Sequence, residues 1–182
     1  KAVYKAEKKI YSLKSNKFKV NILRNATLYG FSNTMRFDLV INLFTYLLLN
    51  NKEITINGDG RQSRPFLSVM DVSRMYEYII KKDLESFIVN VVAFSSNIRS
   101  LSKKIIKLLN KPNDLLKFDY KNSDHRNYDV GSKNFRKFFK SFKFTPLIQD
   151  LKKMTKKIKS QKLKPNTNSV RVKFYKKILK VL

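Results

Sequence analysis

The stretch GDGRQSRPFLSVMDV, residues 58–72, decides how this sequence is read. Its glycines mark a turn, and Pro65 keeps the residues around it extended. Asp71 then starts a helix in which Val72, Met75, Tyr76, Ile79 and Ile80 are expected to face inward. The stretch also holds Arg61 and Arg64, two of nine arginines in a chain with 31 lysines. Arginine is a rigid, permanently charged fork, whereas lysine is a mobile point charge. An arginine beside a turn in so lysine-rich a chain marks a place where geometry matters.

Outward from that block, helical and extended segments alternate. Residues 1–15 bring Val3, Ile10 and Leu13 near one face, which is helical spacing. FKVNIL (18–23) alternates like a strand, NATLYGFSN (25–33) is a loop, and 36–49 is an apolar helix. EITI (53–56) is a strand closed by the turn at 57–60. FIVNVV (87–92) and LLKFDY (115–120) are strands flanking the amphipathic helix 98–109. A short helix at 132–142 sends Phe135, Phe138, Phe139 and Phe142 to the core. A helix over 146–160 follows, then a polar linker and a final helix over 170–182. Strands alternating with helices predict an α/β fold with helices covering a sheet.

Composition removes several chemistries. Without cysteine there are no disulfides, thiolate catalysis or cysteine-rich zinc sites, and one histidine excludes a multi-histidine metal centre. The longest apolar run, 37–49, has 13 residues, short of the roughly 20 a membrane-spanning helix needs. A cytoplasmic, non-membrane protein is expected. The net charge of +27 suggests nucleic acid. It is nearly all lysine, however, and accompanies 17 asparagines, as A/T-rich codons would produce. Solvated lysine faces and a basic tail, 12 basic and no acidic residues in 151–182, account for it. A basic module binding nucleic acid or an anionic surface through that tail is the alternative.

Three blocks carry a resemblance: Leu23-Arg24 with Tyr29-Gly30, the 58–72 stretch extended to Ile80, and Arg126-x-Tyr128 with Ser132-Lys133. Together they resemble the extended short-chain dehydrogenases/reductases, the NAD(P)-dependent epimerases and dehydratases of nucleotide sugars. The resemblance implies the C-terminal part of a Rossmann-like doubly wound sheet plus a small α/β substrate-binding subdomain, residues 1–160. Residues 161–182 would be a basic linker and C-terminal helix. It implies an N-terminal half with the Gly-rich loop and active-site tyrosine, since no dinucleotide fingerprint lies in these residues. This part alone is expected to be inactive and, with its sheet edge open, poorly soluble.

The same resemblance assigns roles. Lys1 would be the active-site lysine, lowering the tyrosine pKa and holding the nicotinamide ribose; a competing register puts Val3 there, and an exposed helix lysine is the plain alternative. Tyr4 and Lys8 match Tyr-x-x-x-Lys, but Lys8 stands too near Arg24. Asn25 would border the cofactor, NAD or NADP. Arg64 would grip the diphosphate of a nucleotide sugar with Arg126, unless it instead pairs with Asp71. Thr27 would face the sugar, and Arg36 the substrate cleft unless it is a surface residue at the helix start. Asp38 suits a phosphate poorly, His125 reads as a loop residue, Asp59 as a turn former and Arg61 as surface. The partners implied are a nucleotide-diphosphate sugar, the N-terminal half and a second copy in a homodimer.

Overall fold

The computed structural model describes residues 2–122, 127–166 and 169–170. Helix α1 (Ala2–Tyr11) is followed by strands β1 (Asn21–Asn25) and β2 (Thr27–Tyr29), then helix α2 (Val40–Leu49). Strands β3 (Ile54–Asn57) and β4 (Ser63–Ser68) lead into α3 (Val69–Lys82). Strands β5 (Phe87–Val91) and β6 (Phe94–Asn97) precede α4 (Ile98–Leu108). Strand β7 (Leu116–Asp119), the single turn α5 (Phe135–Phe138) and α6 (Leu147–Ser160) complete the order.

The pairing is mainly parallel. β1 pairs with β5, β2 with β4, and β3 with β7, all parallel; β6 adds to β4 antiparallel. Parallel partners need long crossovers, which α2 and α3 provide here. The mixed α/β class read from the sequence is the observed one.

β4 divides the interior. Neighbouring residues on a strand face opposite sides, and Phe66 and Leu67, both 0% exposed, enter different clusters. Phe66 joins Ile41 and Leu48 of α2, Ile105 of α4 and Met154 of α6. Leu67 joins Val72, Met75, Val89, Phe135 and Phe139.

A polar seam lies between the clusters. The Asp71 carboxylate accepts from Thr145 N (2.9 Å), Thr145 Oγ1 (2.6 Å) and Arg74 Nη2. The Tyr29 hydroxyl donates to Asp150 Oδ2 at 3.2 Å, and Ser68 bonds the same carboxyl. Asp71 and Asp150 are 0% and 3% exposed. Burial pushes the Asp150 carboxyl above the usual carboxylate range, against hydrogen bonds that pull it down. A carboxyl with a higher pKa folded than unfolded favours folding while protonated. That contribution is complete below about pH 4 and is lost as pH rises through the raised value. Asp150→Asn cannot ionise, so its stability relative to the unsubstituted chain should climb as pH rises above about 4. Urea unfolding across that range checks it, and a difference flat with pH overturns it.

Gly60 fixes the turn before β4. Its φ of +74° lies in the left-handed region, and a Cβ there would stand 3.0 Å from Ile56 Cγ2 and Arg99 Cβ. Its carbonyl accepts from Arg99 N at 2.9 Å, which fastens the turn to the start of α4.

Several expectations shift. The strand read at 18–23 forms at Asn21–Asn25, while Phe18 stays 55% exposed. The 25–33 loop contains β2, and β6 was not anticipated. In α3, Val72 and Met75 are buried, but Tyr76 is 48% and Ile80 80% exposed; the inward face is narrower than read. The helix at 132–142 shrinks to Phe135–Phe138, although its phenylalanines do pack inward. Residues 171–182, read as a final helix, lie outside the described residues, while Leu163 and Val170 pack on the first cluster. No helix among the described residues is long and apolar enough to cross a membrane.

Candidate functional site

The backbone leading into β4 is extended because Pro65 restricts the residue before it. Asp59 Oδ1 accepts from Arg61 N at 2.9 Å and closes the turn, as a turn-forming aspartate does. Arg61 then points outward, 84% exposed in its side chain. Arg64, three residues on, is half-buried at the wall of a cleft of about 450 Å³. That volume falls in the usual range for small-molecule sites.

The cleft collects residues remote in sequence. Thr27 comes from β2, Arg36 and Asp38 from the loop before α2, Gln62 and Arg64 from the β4 region, and Tyr128 from the segment before α5. Ile56, Phe66 and Ile98 add an apolar lining. The start of α2 also borders it, and its N-cap Leu39 makes no side-chain cap. Helix starts carry unsatisfied N–H groups and favour anions.

Asn42 holds the loop that carries Arg36. Only 3% exposed, it accepts from Gly30 N and donates to Arg36 O, both at 2.9 Å. A polar residue inside the apolar run 37–49 was the sequence signal for this anchor. The Arg36 guanidinium binds Asp38 with two parallel bonds of 2.9 Å, Nε to Oδ1 and Nη2 to Oδ2. The Asp38 charge, which seemed ill-suited beside a phosphate, is met by this fork. Among the ionisable side chains lining the cleft, two arginines face one aspartate, leaving one net positive charge.

Arg64 Nη1 donates to Ser63 O at 2.7 Å, and its Cζ lies 4.8 Å from the centroid of the Tyr128 ring. It does not pair with Asp71, whose carboxylate is committed to Arg74 and Thr145. Of the residues expected at the site, Thr27, Arg36 and Arg64 share this cleft. Asn25 ends β1, exposed, and does not line it. Lys1, His125 and Arg126 lie outside the described residues. Gln62 was missed, and Tyr128, although part of the Arg126-x-Tyr128 block, was given no role at the site; nothing local in sequence shows that its ring meets a residue 64 positions away. Among the described residues no cluster of His, Cys, Asp or Glu could hold a metal ion.

Comparison with known proteins gives a consistent picture. The pattern of the NAD dependent epimerase/dehydratase family matches residues 6–91. The human dTDP-D-glucose 4,6-dehydratase is 33% identical over 98 residues, 53% of this chain and 27% of that protein. The Dictyostelium discoideum protein of the same description is 32% identical over 96 residues, 52% of this chain and 22% of its own length. Among solved structures, dTDP-glucose 4,6-dehydratase from Bacillus anthracis, in complex with NAD, aligns with a TM-score of 0.69 at 18% identity. The alignment covers 86% of this chain and 50% of that one. UDP-N-acetylglucosamine 4-epimerase from Methanobrevibacter ruminantium, in complex with UDP-N-acetylmuramic acid, gives 0.64 at 23% identity, covering 86% and 50%. The chain thus spans about half the length of these structures and matches about a quarter of the curated relatives.

Proposed function

We propose, from the match of residues 6–91 to the NAD dependent epimerase/dehydratase family, that this chain is the substrate-binding part of an NAD(P)-dependent nucleotide-sugar epimerase, dehydratase or reductase. The observation that carries the reading is the cleft in which Arg64, Arg36 and Thr27 converge. Ligands of open parallel α/β sheets bind beyond the carboxyl ends of the strands. A diphosphate suits an arginine fork, which offers paired in-plane donors and stays charged when partly buried. Thr27 lines the same cleft and would face the sugar, and Arg126 would join Arg64 on the diphosphate.

The residues present do not fit the whole cofactor. With four glycines and no Gly-rich phosphate loop, the chain offers no cradle for the pyrophosphate of NAD or NADP. Asn25, at the end of β1, and Lys1 would border only its nicotinamide side. Hydride chemistry is the cofactor's; the part of these residues is to bind and orient a sugar nucleotide. The pyrophosphate cradle and the catalytic tyrosine would come from an N-terminal half.

Titration calorimetry with UDP, dTDP and GDP tests the reading on the chain itself. At least one is expected to bind with a dissociation constant of about 1 mM or tighter, and added inorganic pyrophosphate should compete. If none of the three binds while a single-stranded oligouridylate does, the basic nucleic-acid alternative replaces it.

A further inference from the structure

Residues 127–131 cross the rim of the cleft as a strap with alternating anchors. Asn127 Oδ1 accepts from Ser63 N (2.9 Å) on β4. Asp129 Oδ1 accepts from Ser95 Oγ (2.6 Å) on β6, and Gly131 O accepts from Asn90 Nδ2 (3.0 Å) on β5. With 127 and 129 tied down by their side chains, Tyr128 between them meets Arg64 over the cleft. Ser63 and Arg64 are adjacent on β4, and Ser95 is the register partner of Pro65. The strap is therefore pinned on both sides of the arginine it covers.

We propose that Tyr128 is a positioning residue for Arg64, holding its guanidinium under the strap so that it meets the diphosphate of a nucleotide sugar already oriented. This rests on the cleft being the nucleotide-sugar site. A long arginine side chain left to itself samples many rotamers, and ordering it on binding subtracts from affinity. A ring against the guanidinium orders it beforehand through cation–π attraction. The Tyr128 hydroxyl makes no hydrogen bond among the described residues, so the ring face, and not the phenol, has the role.

Two substitutions separate this from a merely structural role, since Tyr128 is 47% exposed and outside both core clusters. Tyr128→Phe should bind UDP within about twofold of the unsubstituted chain, and Tyr128→Leu about tenfold more weakly. The NMR resonance of the Arg64 side-chain Nε–H, assigned by its disappearance in Arg64→Lys, reports the stacking without any ligand. It should keep its ring-current displacement in Tyr128→Phe and lose it in Tyr128→Leu. Equal UDP affinity in Tyr128→Leu, or an unmoved Arg64 resonance, overturns the proposal and leaves the cleft reading standing. Failure of the unsubstituted chain to bind any nucleoside diphosphate removes both.

Discussion

Replacing Arg64 with lysine is expected to raise the dissociation constant for UDP about tenfold, and replacing it with alanine about a hundredfold. Both numbers follow from what the side chain does in the cleft. Lysine keeps the charge but gives up the paired donors and the flat surface that lies 4.8 Å from Tyr128. Alanine also gives up the charge, and hydrogen bonds to charged groups are worth about 1.5–3 kcal/mol. Arg61→Lys, four residues from the turn's start, is the matched control. Arg61 is 84% exposed, pairs only with Asp59 among the described residues at 3.3 Å, and its replacement should leave binding unchanged. If Arg64→Lys and Arg61→Lys bind UDP alike, Arg64 is not a phosphate ligand.

Asp71→Ala should cost about 3 kcal/mol of stability, the largest loss expected from any single surface-to-seam polar change here. The carboxylate is 0% exposed, and three donors converge on it. Its removal leaves the half-buried Thr145 backbone N–H without its acceptor. Arg74 suffers less, because it is 47% exposed, donates to Lys143 O at 2.8 Å and lies over the Phe142 ring at 4.7 Å. In a chain of this size that loss corresponds to a fall in melting temperature of about 6–12 °C. Thr145→Val removes only the hydroxyl donor and should cost about 1 kcal/mol. Thermal unfolding of the two variants compares them, and an Asp71→Ala loss no greater than that of Thr145→Val would refute the seam's role.

The sequence was most legible where one segment contains its own explanation. The 58–72 block folds as turn, strand and helix because its glycines, proline and the Ser68 cap, which accepts from Met70 N at 3.3 Å, act over a few residues. The helix at 98–109 was readable for the same reason: Asn97 caps it, accepting from Ser100 N at 2.8 Å, and Leu101, Ile105 and Ile106 recur on one buried face. Strands β2 and β6 were not readable. They have three and four residues, and both depend on β4, a strand far from β2 in sequence. Phe139 misled in another way. Its spacing from Phe135 is helical, and the rings stack 4.9 Å apart, but its backbone has already left the helix at φ −121°, ψ 56°. Aromatic packing, not helix continuation, brings those side chains inward. At the cleft, arginine among lysines was a usable local signal for Arg64. Tyr128 was legible only as part of a motif; its contact with Arg64 emerges once the strap is seen to lie against β4.

Helix α1 holds no buried residue, and Val3, Tyr4, Ile10 and Leu13 are 83%, 55%, 51% and 61% exposed. Among the described residues its ties include the Glu7–Arg24 ion pair and a 3.3 Å bond from the Tyr11 hydroxyl to Ser86 O. Set against a net charge of +27, that greasy flank makes the colloidal behaviour of the chain a contest decided by electrolyte. In dilute buffer, mutual repulsion reaches about 30 Å and keeps copies apart; at physiological ionic strength it fades within about 8 Å, and stickiness takes over. Salt, ordinarily added to keep basic proteins in solution, would here bring them together.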